Sequence, residues 1–239
     1  MFAALSVVTG CSREELNLEQ LIERNTNAVG GRAAIEAVQG IEINLHIVDP
    51  SFEVDGVYRA TRSGKMRIDV ASNGKRVFTE GFDGTNGWQA SDKAEQKPAS
   101  TKATAALRHG IELPGKLFGL HELKQRGHRI EAAGREKIDS INYYVLRLIL
   151  SDGYTMSLLV DPTSWLITRR RDLRPLHVDV DPTPTTIETQ LGDFREIAGV
   201  KFAFATKEVD LKTGKELERA RINSLQVNPS IDQSVFEKL

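Results

Sequence analysis

The chain has 239 residues, of which 40% are apolar and 27% are charged, and its formal net charge is −1. Such a composition is ordinary for a globular domain that builds its own core. The balanced charge provides no electrostatic field that would attract nucleic acid. No run approaches the roughly 20 apolar residues that a membrane-spanning helix needs. We therefore expect one globular domain that neither spans a membrane nor binds nucleic acid.

A short run of apolar and small residues at the start of the chain ends at its single cysteine, Cys11, which excludes an internal disulfide. The sequence Val8-Thr9-Gly10-Cys11 resembles the lipobox of bacterial lipoproteins. That resemblance implies a lipid anchor on Cys11 and, through Ser12, sorting to the outer membrane. The alternative is a free thiol on a disordered tail. Residues 1–15 are predicted to be a signal remnant and tether, and residues 16–239 a single domain.

The first regular structure is predicted to be helical, from Leu16 to Val38. Leu18, Leu21 and Ile22 recur on one side of a helix with a period of 3.6 residues. The pair Gly30-Gly31 predicts a break, because adjacent glycines destabilise a helix. The pattern therefore predicts two short helices in this segment.

A long train of strands follows between Ile41 and Val227. Residues Ile41 to Ile47 alternate apolar and polar side chains with period two, as a half-buried antiparallel strand does. Turn sequences such as Asn73-Gly74 and Asp152-Gly153 separate the later runs. The further strands are predicted at residues 52–61, 65–71, 76–82, from 88, 143–150, 154–160, 166–171, 186–196, 201–209 and 216–227.

Two further helices are predicted in the middle of the chain, over residues 102–109 and 117–124, with Pro114-Gly115 between them. A sheet of so many consecutive strands must curve to bury its apolar face. The short helical stretches are the candidates to cover that face. The expected shape is a curved sheet wrapped on helices, which is either a container or a platform.

Several strands are apolar on both faces, which predicts that part of the sheet is buried on both faces. In residues 143–150, Arg147 is the only charged side chain. The simpler interpretation is a core packed against helices, since apolar strand residues are usually core. The alternative is a concave apolar surface that is open to a lipid or acyl chain. Trp88 and Trp165 are either anchors at the rim of such a surface or part of the core.

The order of these features resembles the periplasmic lipoprotein-carrier superfamily of outer-membrane lipoprotein-sorting proteins. The similar segments are Ala28 to Gly31, Phe82 to Trp88, Tyr143 to Leu148, Val160 to Pro162, and the ending from Val227 to Lys238. The resemblance implies an α+β, mostly antiparallel fold: a strongly curved, incomplete half-barrel of about ten to eleven strands with helices covering the concave face. A fold alone does not determine function.

The resemblance implies an envelope lipoprotein of the periplasm that binds an acyl chain or another apolar ligand, with a role in lipoprotein or lipid trafficking. The alternative is a non-enzymatic envelope sensor or interaction module, with an envelope protein as its partner and no cargo. Membrane association would come from the lipid on Cys11. The apolar residues predicted to line the binding surface are Tyr144, Leu146, Leu148, Tyr154, Met156, Leu158, Trp165, Ile167, Phe202 and Phe204.

The sequence contains no nucleophile elbow, phosphate loop, dinucleotide fingerprint or zinc-protease motif. The segment from His177 to Asp181 could bind a divalent cation, but a solvated strand edge before Pro182 is the simpler interpretation. The arginines at 169, 170, 171 and 174 alternate between two faces, so they predict no single cationic patch; contact with lipid phosphates is the alternative. We therefore expect no enzyme activity, no cofactor and no metal.

Overall fold

The fold is built on one open β-sheet, which a computed structural model describes with its helices for residues 16–92, 95–176, 178–179 and 181–237. Thirteen strands of this described part form the sheet, and all neighbouring strands run antiparallel. They are β1 (Gly40–Asp49), β2 (Phe52–Thr61), β3 (Met66–Ser72), β4 (Lys75–Phe82), β5 (Gly87–Ser91), β6 (Lys97–Pro98), β7 (Arg129–Ile138), β8 (Ile141–Ile149), β9 (Thr155–Val160), β10 (Ile167–Arg174), β11 (Thr185–Ile197), β12 (Val200–Asp210) and β13 (Glu216–Val227).

The strand order joins the two ends of the chain at the centre of the sheet. From edge to edge the order is β6-β5-β4-β3-β2-β1-β13-β12-β11-β10-β9-β8-β7. The first strand therefore lies between β2 and the last strand, and the sheet stays open between its edges β6 and β7. The prediction of a mostly antiparallel β fold is confirmed.

The prediction of about ten to eleven strands was too low, because β6 and β7 were not predicted. Strand β6 has only two residues, one of them Pro98. Strand β7 lacks alternation around Ala132 and Gly134, and its pairing with β8 shifts register between Ala132 and Arg135. An edge strand with a bulge buries little, so its sequence carries little periodic signal.

The helices are α1 (Leu18–Val29), α2 (Arg32–Glu36) and α3 (Thr101–Glu112), with 3-10 turns at Leu120–Glu122 and Gln233–Phe236. Asn17 caps α1 with its side chain, in a capping box with Gln20. The predicted break at Gly30-Gly31 separates α1 from α2. In place of the helix predicted over residues 117–124, the structure has only the short turn Leu120–Glu122, with Leu117, Leu120 and Leu123 buried.

Gly30 allows α1 to dock on the turn between β11 and β12. Its φ of 142° lies in the region that favours glycine. A Cβ at this position would lie 2.0 Å from the carbonyl oxygen of Gly199. The close approach therefore requires glycine, and it fixes the end of α1 against the sheet.

The helices cover one face of the sheet, where two hydrophobic clusters form. In the first cluster, α2 and α3 pack on the strands from β1 to β4, β12 and β13 through Ile35, Leu107 and Ile111. In the second cluster, Leu21 of α1 packs on β8 and β9 together with Leu120 and Leu123. The apolar face predicted from the alternating strands is thus buried under helices and the segment that follows α3.

The three helices and the segment between α3 and β7 together form a cover over this face, and Arg62 connects the cover to the sheet. Its guanidinium donates hydrogen bonds to the carbonyl oxygens of Val38 and Ile35, both at 2.8 Å, and to the carboxylate of Glu122. Glu122 also accepts a hydrogen bond from the backbone N–H of Gly119 at 2.8 Å. One side chain therefore connects the β2–β3 turn, the end of α2 and the 3-10 turn.

The opposite face of the sheet is held by ion pairs and by the C-terminal segment. Arg169 and Arg171 both pair with Glu188 on this face, as the alternation of β10 predicts, whereas Arg170 points to the helical side. Trp88 is fully buried and donates a hydrogen bond to the carbonyl oxygen of Phe236 at 3.0 Å. Trp88 is therefore a core residue.

Candidate functional site

A cavity of about 370 Å³ lies between the central strands and the segment that follows α3. This volume is within the range of roughly 300–1,000 Å³ that is typical of small-molecule sites. Its apolar wall comes from neighbouring strands and from the cover. These residues are Ile43, Leu45, Ile47, Tyr58, Met66, Ile68, Phe202, Phe204, Ala220, Ile222, Leu225, Pro114, Phe118 and Leu120.

The register of the sheet explains why this wall is continuous. Ile43 pairs with Tyr58 on one side and with Leu225 on the other, and Tyr58 in turn pairs with Ile68. Directly opposed residues on neighbouring strands point to the same face. The period-two pattern of β1 is therefore repeated across β2, β3 and β13, which produces one apolar surface.

Part of this wall is not filled by other side chains. Leu45, Ile47, Ile68 and Ile222 are only half-buried, although each belongs to a central strand. By contrast, Ile41 at the start of β1 is fully buried under the cover. The accessible surface of the four residues borders the cavity, so apolar area is available to a ligand there.

The cavity also reaches the edge of β12. Strands β12 and β13 pair only between Ala205 and Val209 of β12, whereas β11 pairs with β12 as far as Val200. The residues from Lys201 to Phe204 all line the cavity. Since successive side chains of a strand point to opposite faces, four consecutive lining residues indicate that the strand edge itself borders the cavity. The two strands therefore diverge at this end.

Charged groups form the other part of the wall, on strands β10 to β13. Arg170 pairs with Thr189, Thr189 with Glu208, and Glu208 with Glu218, so these side chains form a row across the strands. Both carboxylate oxygens of Glu208 accept hydrogen bonds from Arg174 at 2.7 Å. The cavity thus has an apolar region next to a polar one.

The protein environment shifts the pKa of several of these groups. Burial raises the pKa of Glu80 to about 7, with a contribution from Asp179. Burial and the neighbouring Glu208 raise the pKa of Glu218 to about 7. The side chain of Lys116 lines the cavity and is accessible to solvent. Partial loss of hydration against the surrounding protein and, as a smaller effect, the positive charge of Arg170 lower its pKa to about 8. Loss of hydration disfavours the charged form in each case.

The structure brings only some of the predicted ligand-binding residues to this cavity. Ile167, Phe202 and Phe204 line it. The second hydrophobic cluster contains the others, packed against α1, Leu120 and Leu123. These residues are Tyr144, Leu146, Leu148, Tyr154, Met156, Leu158 and Trp165.

The aromatic members of that cluster have partners within the protein. The rings of Tyr144 and Trp165 stack with their centroids 5.6 Å apart, and Arg24 lies 4.5 Å from the centroid of Trp165. The hydroxyl of Tyr154 donates a hydrogen bond to Asp172. Ligand contact by the predicted set stays a prediction, and in this structure the cluster residues have a packing role.

Leu45, Ile47, Ile68 and Ile222 were not among the residues predicted to line the binding surface. The alternation of β1 was a usable signal for Leu45 and Ile47, because it marked one apolar face. No signal separates lining residues from core residues on β3 and β13, since that distinction depends on where the cover stops. Lys116 follows the Pro114-Gly115 sequence in the predicted cover, but nothing there indicated its position in a cavity.

Some predictions concern residues outside the described part of the chain, namely the lipid anchor on Cys11 and the role of His177. Among the residues that are described, no group of three or more His, Cys, Asp or Glu side chains is arranged to hold a metal ion. None of the helices described is both long enough and apolar enough to cross a bilayer.

These features define an open antiparallel sheet whose helix-covered face encloses an apolar cavity. No family model and no curated protein matches the chain. Solved structures do share its fold. A LolA superfamily protein from Nitrosomonas europaea is 12% identical, with a TM-score of 0.58, over 94% of this chain and 99% of that one.

A putative outer membrane lipoprotein-sorting protein domain from Vibrio parahaemolyticus is also 12% identical, with a TM-score of 0.55, over 91% of this chain and 94% of that one. A DUF1329 family protein from Desulfovibrio piger is 12% identical, with a TM-score of 0.52, over 92% and 97% of the two chains. The resemblance to the lipoprotein-carrier superfamily is therefore confirmed as a likeness of fold.

Proposed function

We propose that the protein is a non-enzymatic carrier of the cell envelope that holds an acyl chain or another apolar ligand in its cavity. The observation that carries this proposal is the half-buried apolar wall formed by Leu45, Ile47, Ile68 and Ile222. Covering this surface with a ligand would gain about 25 cal/mol for each Å² of apolar area removed from water.

The fold neighbours support the class of ligand and the location. The protein from Vibrio parahaemolyticus is described as a putative outer membrane lipoprotein-sorting protein domain. By analogy, the cargo would be an acylated molecule, and the site of action would be the periplasm. Anchoring to the outer membrane through Cys11 is part of the same proposal.

The alternative of a sensor or interaction module without cargo predicts an interior that is filled by the protein's own side chains. The second hydrophobic cluster is filled in this way, but the central part of the sheet is not. We therefore prefer the carrier.

The test compares two neighbouring residues of β13. Ala220 lines the cavity, whereas Arg221 is exposed. A tryptophan in Ala220→Trp would occupy the cavity, and the same side chain in Arg221→Trp would project outward. The variants are purified from an envelope fraction and compared by native mass spectrometry and by the fluorescence of an apolar dye.

We expect bound lipid and dye fluorescence in the wild type and in Arg221→Trp, and their loss in Ala220→Trp. A wild-type protein with neither bound lipid nor dye fluorescence would refute the proposal. Equal dye binding by both variants would place the apolar site outside this cavity.

A further inference from the structure

We infer that the ligand is an anionic amphiphile, whose carboxylate or phosphate head lies between Lys116 and Arg170 while its chain covers the apolar wall of β1, β3 and β13. This inference rests on the proposed function and specifies the chemistry of its ligand.

Two cations face the same cavity without a counter-ion. Lys116 and Arg170 both line the cavity, and within the described part of the chain neither side chain forms a hydrogen bond or an ion pair. The Nζ atom of Lys116 instead lies 4.4 Å from the ring centroid of Tyr58. Arg170 is half-buried, and an unpaired charge that has lost part of its hydration is costly, so a second cation beside it is unusual unless an anion binds there.

Three other cations near the cover have partners, whereas Lys201, at the edge of β12, also lines the cavity without an ion pair in the described part of the chain. Arg62 pairs with Glu122, and Arg174 pairs with Glu208. Arg126 donates a hydrogen bond to the carbonyl oxygen of Glu112 at 3.2 Å and stacks on Phe118. Lys116 and Arg170 therefore differ from these three arginines in having no ion pair, and they differ from Lys201 in lying where the cover meets the row of charged side chains.

The nearby carboxylates do not neutralise the two cations. Glu208 and Asp172 attract Arg170 without forming an ion pair with it, and both are engaged by Arg174, at 2.7 and 3.2 Å respectively. Asp172 also accepts the hydrogen bond of the Tyr154 hydroxyl.

Two further cavity carboxyls, those of Glu80 and Glu218, have a pKa of about 7, mainly because of burial. Below neutral pH they are largely protonated and uncharged. The two cations then dominate this part of the wall, which favours an anion.

The positions of the two cations fit the head of a chain-like molecule. Arg170 projects from β10, whereas Lys116 belongs to the cover, between Pro114 and Leu120. An anionic head would therefore bridge the sheet and the cover. The contact of Lys116 with Tyr58 places its ammonium beside the apolar wall, because Tyr58 pairs with Ile43 and Ile68. A chain attached to the head would extend along that wall.

The test uses two amphiphiles with the same chain, dodecanoate and dodecanol, titrated at pH 7 by displacement of an apolar dye. We expect the wild type to bind dodecanoate more tightly than dodecanol by about tenfold, since charge-assisted hydrogen bonds are the stronger ones. Arg170→Met and Lys116→Met should each lose most of that preference and still bind dodecanol. The control Lys137→Met, at an exposed position on β7, should behave as wild type.

The melting temperature of the variants without ligand provides a second readout. Removal of an unpaired cation should leave it unchanged or raise it, whereas removal of a structural ion pair would lower it. Equal affinity of the wild type for the two amphiphiles, or an undiminished preference in both variants, would overturn the anion site and leave the apolar carrier intact. If neither amphiphile binds, the proposed function fails as well.

Discussion

Removal of the Arg62 side chain should destabilise the fold strongly, because this residue connects the helical cover to the sheet. In Arg62→Met the carboxylate of Glu122 loses its cation, and the carbonyl oxygens of Ile35 and Val38 lose a donor. The side chains of Arg62 and Glu122 are only 18% and 10% exposed, so water does not replace these contacts fully.

Breaking a buried ion pair from one side costs about 3–5 kcal/mol. The remaining hydrogen bond from the Gly119 N–H to Glu122 retains part of the stabilisation of this carboxylate. We therefore expect a loss of about 2–4 kcal/mol in the free energy of unfolding. For a domain of this size, each kcal/mol corresponds to a shift of about 2–4 °C in melting temperature.

The assay is urea unfolding of Arg62→Met, Glu122→Gln and the double variant at pH 7. The double variant should be less destabilised than the sum of the single variants, since each single change leaves an unpaired group. A loss below about 1 kcal/mol in Arg62→Met would show that the cover does not depend on this connection.

The remaining predictions concern the end of α1, the two kinds of apolar residue and the response to pH. Gly30→Ala should lower the melting temperature more than Gly31→Ala, because a Cβ at Gly30 meets the carbonyl of Gly199 at 2.0 Å and one at Gly31 meets nothing within 4 Å; equal losses would contradict the docking of α1. Leu146→Ala should cost about 2–5 kcal/mol in chemical unfolding, whereas Leu45→Ala, beside an existing cavity, should cost less and weaken ligand binding instead. The wild type should lose stability as the pH rises from about 4.5 to about 7, because burial raises the pKa of Glu218 from 4.5 to about 7 in the folded protein, so that over this range the unfolded chain releases the proton more readily. Glu218→Gln should reduce this loss in melting curves from pH 5 to 8, and an unchanged pH dependence would exclude Glu218 as its source.

Local sequence patterns predicted most strands well, because turns and alternation act over short distances. Residues 52–61 and 216–227 were predicted with the boundaries of β2 and β13. Strand β7 was missed because it is a bulged edge strand with little periodicity.

The site was predicted less well, because local sequence patterns do not show where the cover lies on the sheet. Leu146 and Leu45 both alternate on an apolar strand face, and only the placement of the cover makes the first a core residue and the second a lining residue. That placement depends on distant contacts, such as Gly30 with Gly199 and Arg62 with Glu122. The sequence could therefore predict an apolar sheet face but not the position of the cavity.

The most direct measurement is methyl NMR of the isoleucine side chains during titration with dodecanoate. The structure predicts nuclear Overhauser contacts between the chain of the ligand and the methyl groups of Ile47, Ile68 and Ile222, which line the cavity. It predicts none for Ile141, which is exposed at the start of β8, or for Ile130 of the second cluster. Contacts to Ile130 instead of the cavity residues, or no contacts at all, would contradict the claim that this cavity holds the ligand.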